Sequence, residues 1–224
     1  MAAKKYYAVK QGRSTGIWES WEACRAAVDG YPQAQYKGFP TREEARAYLG
    51  GNICAQGGGE GEEGQLLAYV DGSYDHSLRK YAFGCVFLRP DGRIYTAYGN
   101  GDNPESLKLR NVTGEMLGAM YAVKCAMASG YKSLEIRYDY EGIEKWVTGA
   151  WRSKTDLTRK YALAMQEWGK SLNLCFTKVA AHTNVYYNEL ADRLAKAGLV
   201  QGNGVPRVRN LEDMEEYHGT DEDQ

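Results

Sequence analysis

The chain has 224 residues and a formal net charge of -1, with 25% charged and 43% hydrophobic residues. This composition is ordinary for a soluble globular protein, and the length allows one large domain or a small and a medium one. No apolar run approaches the roughly 18 residues of a membrane span, and the N-terminus lacks the apolar stretch of a signal peptide. The five cysteines are scattered without CxxC spacing, which argues against a disulfide framework or a zinc site and favours a reducing cytoplasm.

The near-neutral net charge conceals an uneven distribution along the chain. Residues 1–50 contain eight Lys and Arg against five Asp and Glu, whereas residues 201–224 contain two against seven. Residues 51–64 contain three acids and no base, and the remaining stretch, 65–200, is mildly basic. A basic surface attracts phosphates, but an excess of this size does not by itself identify a nucleic-acid-binding protein.

The first 50 residues have the pattern of a small independent α+β unit. We predict two strands and then two helices, over 4–10, 16–21, 21–28 and 41–50. The first helix should place Trp21, Cys24 and Val28 on one face. The second begins with a capping-box pattern, in which Thr41 is followed three residues later by Glu44.

The rest of the chain divides into three stretches of different character. Residues 51–64, GNICAQGGGEGEEG, are glycine-rich and acidic, which predicts a flexible linker. Residues 65–200 show the order β-β-β-α-β-α-α-β-α, which predicts an α/β fold with a mixed sheet flanked by helices. Residues 201–224 are acidic with little to bury, and we predict that they are disordered.

Four acidic residues in the third stretch stand out by their context: Asp71 within the strand pattern LLAYVDGSY, Glu115 where a helix begins, Asp139 at the end of LEIRYD, and Asp192 in the last helix. Each has an ordinary alternative explanation: a turn residue, a favourable charge at a helix start, a strand-ending turn, and a surface charge. Ligand sites in α/β sheets gather at the carboxyl ends of strands. Acids gathered there repel one another unless they are protonated or neutralised by a metal, and oxygen-only donors suit Mg²⁺ or Mn²⁺.

The order and surroundings of these acids resemble the type 1 ribonuclease H family. The segments that carry the resemblance are YVDGS, GE at a helix start, RYDYEGIEKW and HTNVYYNELADRLAKAG, spread over 65–200. The resemblance implies a metal-dependent endoribonuclease that cuts the RNA strand of RNA–DNA hybrids. It assigns two Mg²⁺ ions, for which Mn²⁺ can substitute, to Asp71, Glu115, Asp139 and Asp192. One metal would activate the attacking water and the other would stabilise the leaving oxygen, which leaves 5′-phosphate and 3′-hydroxyl ends.

The same resemblance assigns further site residues. His182 matches the family's loop histidine, which is thought to help proton transfer or product release. The family segment TNQRAE reads RNVTGE here, so Asn111 matches the asparagine that contacts the RNA 2′-hydroxyl, while Val112 replaces a glutamine that helps it. Ser73 and Thr155 are also assigned as substrate contacts, Thr155 as part of a phosphate site with the bases Arg152 and Lys154. Residues 149–160 are shorter than the basic protrusion found in some members.

Residues 5–49 resemble the hybrid-binding, caulimovirus viroplasmin-like domain that precedes many type 1 catalytic domains, through GIWESWEAC and YKGFPTREEA. This implies that Tyr7, Trp21 and Tyr36 stack on sugars or bases and that Lys37 meets a phosphate. Gly38 stands where the family often has another lysine. The alternative for these aromatic residues is a packed small core, a role that we assign to Trp18 and Phe39.

The leading hypothesis is therefore an active ribonuclease H with an N-terminal hybrid-binding domain. Its expected partner is an RNA–DNA hybrid, with no membrane and no obligate protein partner. The alternative is a catalytically inactive hybrid-binding protein, against which the presence of all four acids argues. A domain derived from a retroelement is a third possibility, and the absence of polymerase sequence argues against it.

Overall fold

The structure is a computed structural model that describes residues 5–13, 16–41, 64–179 and 186–219, together with Ala45, Tyr48 and the backbone of 53–55. Its secondary-structure elements, in chain order, are β1 (Tyr6–Gln11), β2 (Gly16–Trp18), α1 (Trp21–Val28), β3 (Gln35–Phe39), β4 (Ile53–Ala55), β5 (Leu66–Asp75), β6 (Lys80–Leu88), β7 (Ile94–Gly101), α2 (Pro104–Leu107), α3 (Asn111–Ala128), β8 (Ser133–Tyr138), α4 (Gly142–Thr148), α5 (Asp156–Trp168), β9 (Asn173–Lys178) and α6 (Tyr186–Gln201). A 3-10 helix, Leu211–Asp213, follows.

Contacts group these elements into two compact units. The first contains Met1–Gly57 and Glu141–Phe176, and the second contains Gly58–Tyr140 and Thr177–Gln224. The stretch 65–200 that we predicted as one catalytic domain thus contributes to both units, and its boundaries stay a prediction.

The N-terminal part of the first unit is a three-stranded antiparallel sheet in the order β2-β1-β3 with α1 packed on it. The strand β3 was not predicted. Ser20 begins α1, where its Oγ accepts a hydrogen bond from the backbone N–H of Ala23 at 3.2 Å. Val9, Cys24, Ala27 and Val28 form the buried core, and Trp18 packs against it as predicted. The predicted helix over 21–28 is confirmed, with Cys24 and Val28 buried and Trp21 41% exposed at its start.

The predicted linker is wrong at three of its residues. Ile53–Ala55 form a strand that pairs in parallel with β9, with Ile53 opposite Leu174 and Ala55 opposite Phe176. The composition of 51–64 as a whole is that of a flexible segment, but ICA is a short apolar stretch within it that can extend a sheet. The rest of the predicted linker up to residue 63 lies outside the described residues.

The second unit is built on a mixed sheet with strands in the order β8-β5-β6-β7, in which β5 and β8 are parallel and the other pairs antiparallel. Helices cover both faces. Cys85 on β6 donates its thiol to the carbonyl of Gly118 in α3, whereas the neighbouring Gly84 faces Ala191 in α6. Because successive strand residues point to opposite faces, α3 and α6 lie on opposite sides of the sheet. The predicted fold class, an α/β fold with a small α+β domain before it, is confirmed.

The predicted disorder of 201–224 is wrong for most of that segment, because residues 202–219 pack on the second unit. Leu211 is fully buried and its N–H donates to Oγ of Ser129, the residue that directly follows α3. Further along, the N–H of Tyr217 donates to the carbonyl of Ile94 on β7 at 2.7 Å. The acidic composition suggested disorder because it does not show where a segment can be buried or bonded. Here Leu211 supplies the burial, and the outer edge of β7 supplies hydrogen-bond partners.

Cys175 is disulfide-bonded, whereas Cys24, Cys85 and Cys125 are free and buried. Cysteine spacing did not predict this bond, since sulfur atoms meet through the fold and not through spacing in the sequence. Within the described residues, no helix is both long and apolar enough to cross a membrane.

The ordered C-terminal segment can be tested by truncating its buried leucine. We expect Leu211→Ala to lower the free energy of unfolding by about 2–4 kcal/mol, because it removes a fully buried side chain and leaves a cavity. Urea denaturation of the metal-free protein measures this. Val205→Ala, in the same segment but 49% exposed, is the control and should change little. Equal stability of both variants and the wild type would mean that the segment is not packed.

Candidate active site

Asp71 lies in the middle of β5 and not in a turn, so the turn explanation is wrong. Its Oδ1 accepts a hydrogen bond from the backbone N–H of Gly72 at 2.6 Å, and its Cα partner on β6 is Gly84. A carboxylate at such a position occupies a half-buried place on a strand where an apolar side chain is the usual choice.

Glu115 is brought beside this strand by close packing of backbone on backbone. A side chain at Gly72 would come within 2.2 Å of the Asn111 carbonyl oxygen, and one at Gly114 within 2.0 Å of the Ala82 carbonyl oxygen. Glycine is therefore needed at both positions for α3 to lie against β5 and β6. Glu115 is 2% exposed and is the fifth residue of α3, so it does not serve as a charge at the helix start.

The other two acids come from β8 and α6. Asp139 directly follows β8, which runs parallel to β5 with Tyr69 opposite Arg137. Asp71 and Asp139 stand two residues beyond this pair on neighbouring strands. On the other side, α6 crosses Gly84 so closely that a Cβ there would meet the Ala191 carbonyl oxygen at 2.1 Å. Asp192, the next residue, is thereby brought towards Asp71.

Electrostatics show that the four acids form one cluster. Burial, followed by the charge of Asp139, raises the pKa of Glu115 well above its usual range, and the charge of Asp71 adds to this. The N–H of Tyr140, which donates to Glu115 Oε1 at 3.2 Å, acts in the opposite direction. Burial raises the pKa of Asp71 to about 7, with further contributions from Asp139 and Asp192. Such mutual repulsion is relieved by protonation or by a cation.

The donor set fits a divalent metal ion of the oxygen-preferring kind. All four candidate ligands are carboxylates, and the two with raised pKa values are those that gain most from a neighbouring positive charge. In the described part of the chain, no three His, Cys, Asp or Glu side chains stand in a ready metal-binding arrangement. Asp192 is instead ion-paired with Lys196, 2.7 Å from Oδ2, one helical turn later. A half-exposed pair of this kind is worth little, so a metal ion can replace it.

Two of the predicted substrate contacts lie beside the acids. Asn111 is the first residue of α3, and its carbonyl oxygen faces Gly72. Ser73 is the residue after Gly72 on β5. Thr155 is the N-cap of α5, where its hydroxyl accepts from the N–H of Thr158 at 3.2 Å. The phosphate role of Thr155 stays a prediction. His182 lies outside the described residues.

The structure brings together three of the four predicted contacts of the N-terminal unit, one from α1 and two from the sheet. Trp21 lies between Tyr7 and Tyr36, with ring centroids 5.5 and 5.8 Å away. Lys37 follows Tyr36 on the same strand and points to the opposite face, where its amine lies over the ring of Phe39. A Cβ at Gly38 would stand 3.3 Å from the ring of Tyr7, so a larger residue there requires that ring to shift by a few tenths of an ångström.

Comparison with known proteins agrees with this arrangement. A family model described as reverse transcriptase-like matches residues 69–198, more than half of the chain, and includes all four acids. The chain belongs to the reverse transcriptase-like family. A second model, described as the ribonuclease H1 N-terminal domain, matches residues 5–49 and includes the three aromatic residues and Lys37. The predicted recognition as a ribonuclease H with an N-terminal domain of this kind is confirmed, and the chain is an enzyme of the ribonuclease H class.

Individual relatives support the same conclusion over most of the chain. Human ribonuclease H1 is 26% identical over 257 aligned positions, which cover 88% of this chain and 90% of that protein. Ribonuclease H of Saccharomyces cerevisiae is 49% identical over 45 residues, which cover 20% of this chain and 13% of the yeast protein. The crystal structure of RNase H1 from Halobacterium salinarum NRC-1 superimposes with a TM-score of 0.51 at 28% identity, covering 62% of this chain and 100% of that one.

Sequence analysis missed the residues that hold the acids in place. Gly72, Gly84 and Gly114 were not singled out, although each interrupts a strand or helix pattern in which glycine is unfavourable, and that is the available signal. Lys196 was also missed. Its position four residues after Asp192 on a predicted helix is the spacing that brings two side chains together.

The raised pKa of Asp71 predicts a pH-dependent penalty in the metal-free protein. The folded state holds the Asp71 proton more tightly than the unfolded state does, so its contribution to stability is present at low pH and is lost as the pH rises through about 7. Relative to the wild type, Asp71→Asn should therefore gain roughly 1–3 kcal/mol of stability between pH 5 and pH 8, since about two pKa units of the shift lie in this window and each corresponds to about 1.4 kcal/mol.

Thermal unfolding in the presence of a chelator, at pH 5 and pH 8, measures this difference. Asp75→Asn, at the hairpin end of the same strand, is the matched control and should show no gain at pH 8. Loss of stability in Asp71→Asn at pH 8 would contradict the repulsive cluster.

Proposed function

We propose that this chain is an endoribonuclease that hydrolyses the RNA strand of RNA–DNA hybrids at the cluster of Asp71, Glu115, Asp139 and Asp192. The observation that supports this most directly is the convergence of four carboxylates from four separate elements, two of them with raised pKa values. Several relatives are named ribonuclease H or H1, and that name accords with a hybrid as the substrate.

The proposed cofactor is a pair of Mg²⁺ ions, for which Mn²⁺ can substitute, held by these four carboxylates. When bound, the ions supply an activated water and stabilise the leaving 3′ oxygen, which accords with 5′-phosphate and 3′-hydroxyl products. The residues of the chain provide a frame for this chemistry, since the glycine contacts fix the backbones of α3 and α6 against the strands that carry the acids.

Recognition of RNA is proposed for the start of α3. Asn111 stands there with its backbone carbonyl against Gly72, the residue between Asp71 and Ser73 on β5, and its side chain is exposed. An amide near the scissile phosphate can bond the 2′-hydroxyl, the group that distinguishes RNA from DNA. For His182 we retain a role in proton transfer or product release, and for the cell we retain a cytoplasmic location; both stay predictions.

We further propose that Tyr7, Trp21 and Tyr36 form the stacking surface of the N-terminal hybrid-binding domain. Trp21 and Tyr36 are 41% and 43% exposed, which is unusual for adjacent large aromatic side chains. Sugars and bases present flat or apolar surfaces that such rings contact without sequence preference. Lys37, on the other face of the sheet, meets a backbone phosphate only if the nucleic acid passes the edge of β3.

The direct test incubates the protein with a labelled RNA–DNA hybrid and Mg²⁺, beside RNA–RNA and DNA–DNA duplexes of the same sequence. We expect cleavage of the RNA strand of the hybrid alone. Binding of the hybrid without cleavage would favour the alternative, a catalytically inactive hybrid-binding protein.

Substitution of single acids tests the site itself. We expect Asp71→Asn and Asp192→Asn each to abolish most cleavage while preserving folding and hybrid binding, because each removes one ligand charge from the metal pair. Single-turnover rates at saturating Mg²⁺ measure this, with Asp75→Asn as the control on the same strand. Near-wild-type rates for both site variants would remove the assignment.

Substitution of Trp21 tests the stacking surface. Since stacking on one aromatic ring is worth on the order of 1–3 kcal/mol, Trp21→Ala should weaken binding to a long hybrid about tenfold or more. The turnover number on a saturating short hybrid should be unchanged. Tyr31→Ala removes another exposed aromatic residue of the same unit and should have no effect on affinity. If both variants bind like the wild type, Trp21 has a structural role only.

A further inference from the structure

A chain of polar and aromatic side chains joins the three elements that carry Asp71, Asp139 and Asp192. It begins with Glu135 on β8, which accepts a hydrogen bond from Arg137 Nε at 3.0 Å. Arg137 Nη1 donates to the hydroxyl of Tyr69 on β5 at 2.7 Å, and its guanidinium also lies 5.3 Å from the Tyr69 ring centroid. The ring of Tyr69 in turn contacts that of Tyr187 in the first turn of α6, with centroids 5.7 Å apart.

This chain is largely buried, which makes its polar members unusual. The side chain of Glu135 is 4% exposed and that of Arg137 is 31% exposed, while Tyr69 is 3% exposed. A buried ion pair gives little net stability compared with apolar side chains of the same size, because both charges must lose water. What it does give is fixed geometry, since the guanidinium donates to Glu135 and Tyr69 in set directions.

The position of the chain relative to the carboxylates is equally specific. Tyr69 and Arg137 are Cα partners on parallel strands, and each stands two residues before a candidate metal ligand. Residues two apart on a strand share a face, so this pair lies directly behind Asp71 and Asp139. Tyr187 stands five residues before Asp192 on α6. The contact between Tyr69 and Tyr187 is therefore a link between the strand pair and the helix that supplies the fourth acid.

We propose that Glu135, Arg137, Tyr69 and Tyr187 are positioning residues that set the distance of α6 from β5 and β8 and thereby determine how tightly the carboxylate cluster binds divalent cations. This inference rests on the proposed function only in taking those carboxylates as metal ligands. The close contact at Gly84 limits how near the middle of α6, at Ala191 and Ala195, can approach the sheet, whereas the Tyr187 contact holds the first turn of the helix.

A purely structural role for Tyr69 and Tyr187 leads to a different expectation for the affinity for metal. Tyr69 and Tyr187 belong to one hydrophobic cluster with Val86, Leu190 and Ala191. If they only fill space there, loss of a ring lowers stability and leaves the affinity for metal unchanged. Tyr217 packs against the same cluster from the C-terminal segment, where its N–H donates to the carbonyl of Ile94 on β7, and so provides a matched control.

The test is calorimetric titration of the full chain with Mn²⁺ alone, without nucleic acid. Outer partners of metal ligands typically contribute at least tenfold to affinity, so Tyr187→Ala should raise the Kd for Mn²⁺ about tenfold. Tyr187→Phe keeps the ring and should bind like the wild type. In cleavage assays, Tyr187→Ala should raise the Mg²⁺ requirement while the KM for the hybrid at saturating Mg²⁺ stays unchanged. Tyr217→Ala should lower the melting temperature without changing the Kd.

A second variant keeps the proposal falsifiable if Tyr187→Ala does not fold. Tyr69→Phe removes only the hydroxyl that accepts from Arg137 and should raise the Kd for Mn²⁺ by a smaller factor. An unchanged Kd in Tyr187→Ala, or in Tyr69→Phe if Tyr187→Ala does not fold, overturns the proposal, and so does an equal rise in Tyr217→Ala. Because Mn²⁺ binding is measured without substrate, failure of the wild type to cut a hybrid would refute the proposed function and leave this inference to be decided by the titration.

Discussion

The closest backbone contacts of the second unit are also the ones that create its site. At Gly72 and Gly114, α3 lies against the sheet with no room for a Cβ on either side, and at Gly84 the same is true of α6. Each contact stands next to a residue of the acidic cluster or opposite one. A larger side chain at any of the three positions would push a helix away and carry a carboxylate with it. The site therefore depends on an absence of side chains as much as on the acids.

This geometry sets function against stability. Like charges that the fold forces together and partly buries raise the pKa values of Asp71 and Glu115, and the metal-free protein bears the cost of ionising them near neutral pH. Lys196, paired with Asp192, offsets part of that repulsion. Metal ions would neutralise this repulsion more fully. Because only the folded state brings the acids together to bind the metal, metal binding should stabilise the folded state.

The two candidate contact regions for nucleic acid use different physical chemistry. Around Gly72, charged and amide groups converge on a small area, which suits bonds to particular atoms of a sugar or phosphate. In the N-terminal unit, the exposed rings of Trp21 and Tyr36, with Tyr7 beside them, suit contacts that do not depend on base sequence. An aromatic surface of this kind holds a nucleic acid on the protein, whereas the group of acids and amides would determine where it is cut.

The sequence by itself determined the fold class and predicted the four acids, because hydrophobic periodicity and acids out of place within strands are local signals. It could not show that ICA pairs with β9 or that Leu211 is buried, since the partners of both lie far away in the chain. Composition therefore misjudged the linker and the C-terminal segment.

Only the tertiary structure decided that Lys37 faces away from Trp21 and that three glycines allow the helices to lie close to the sheet. It also decided that Tyr69, Arg137 and Tyr187 connect the elements behind the acids. Those facts depend on distances between segments remote in sequence, which no local pattern encodes.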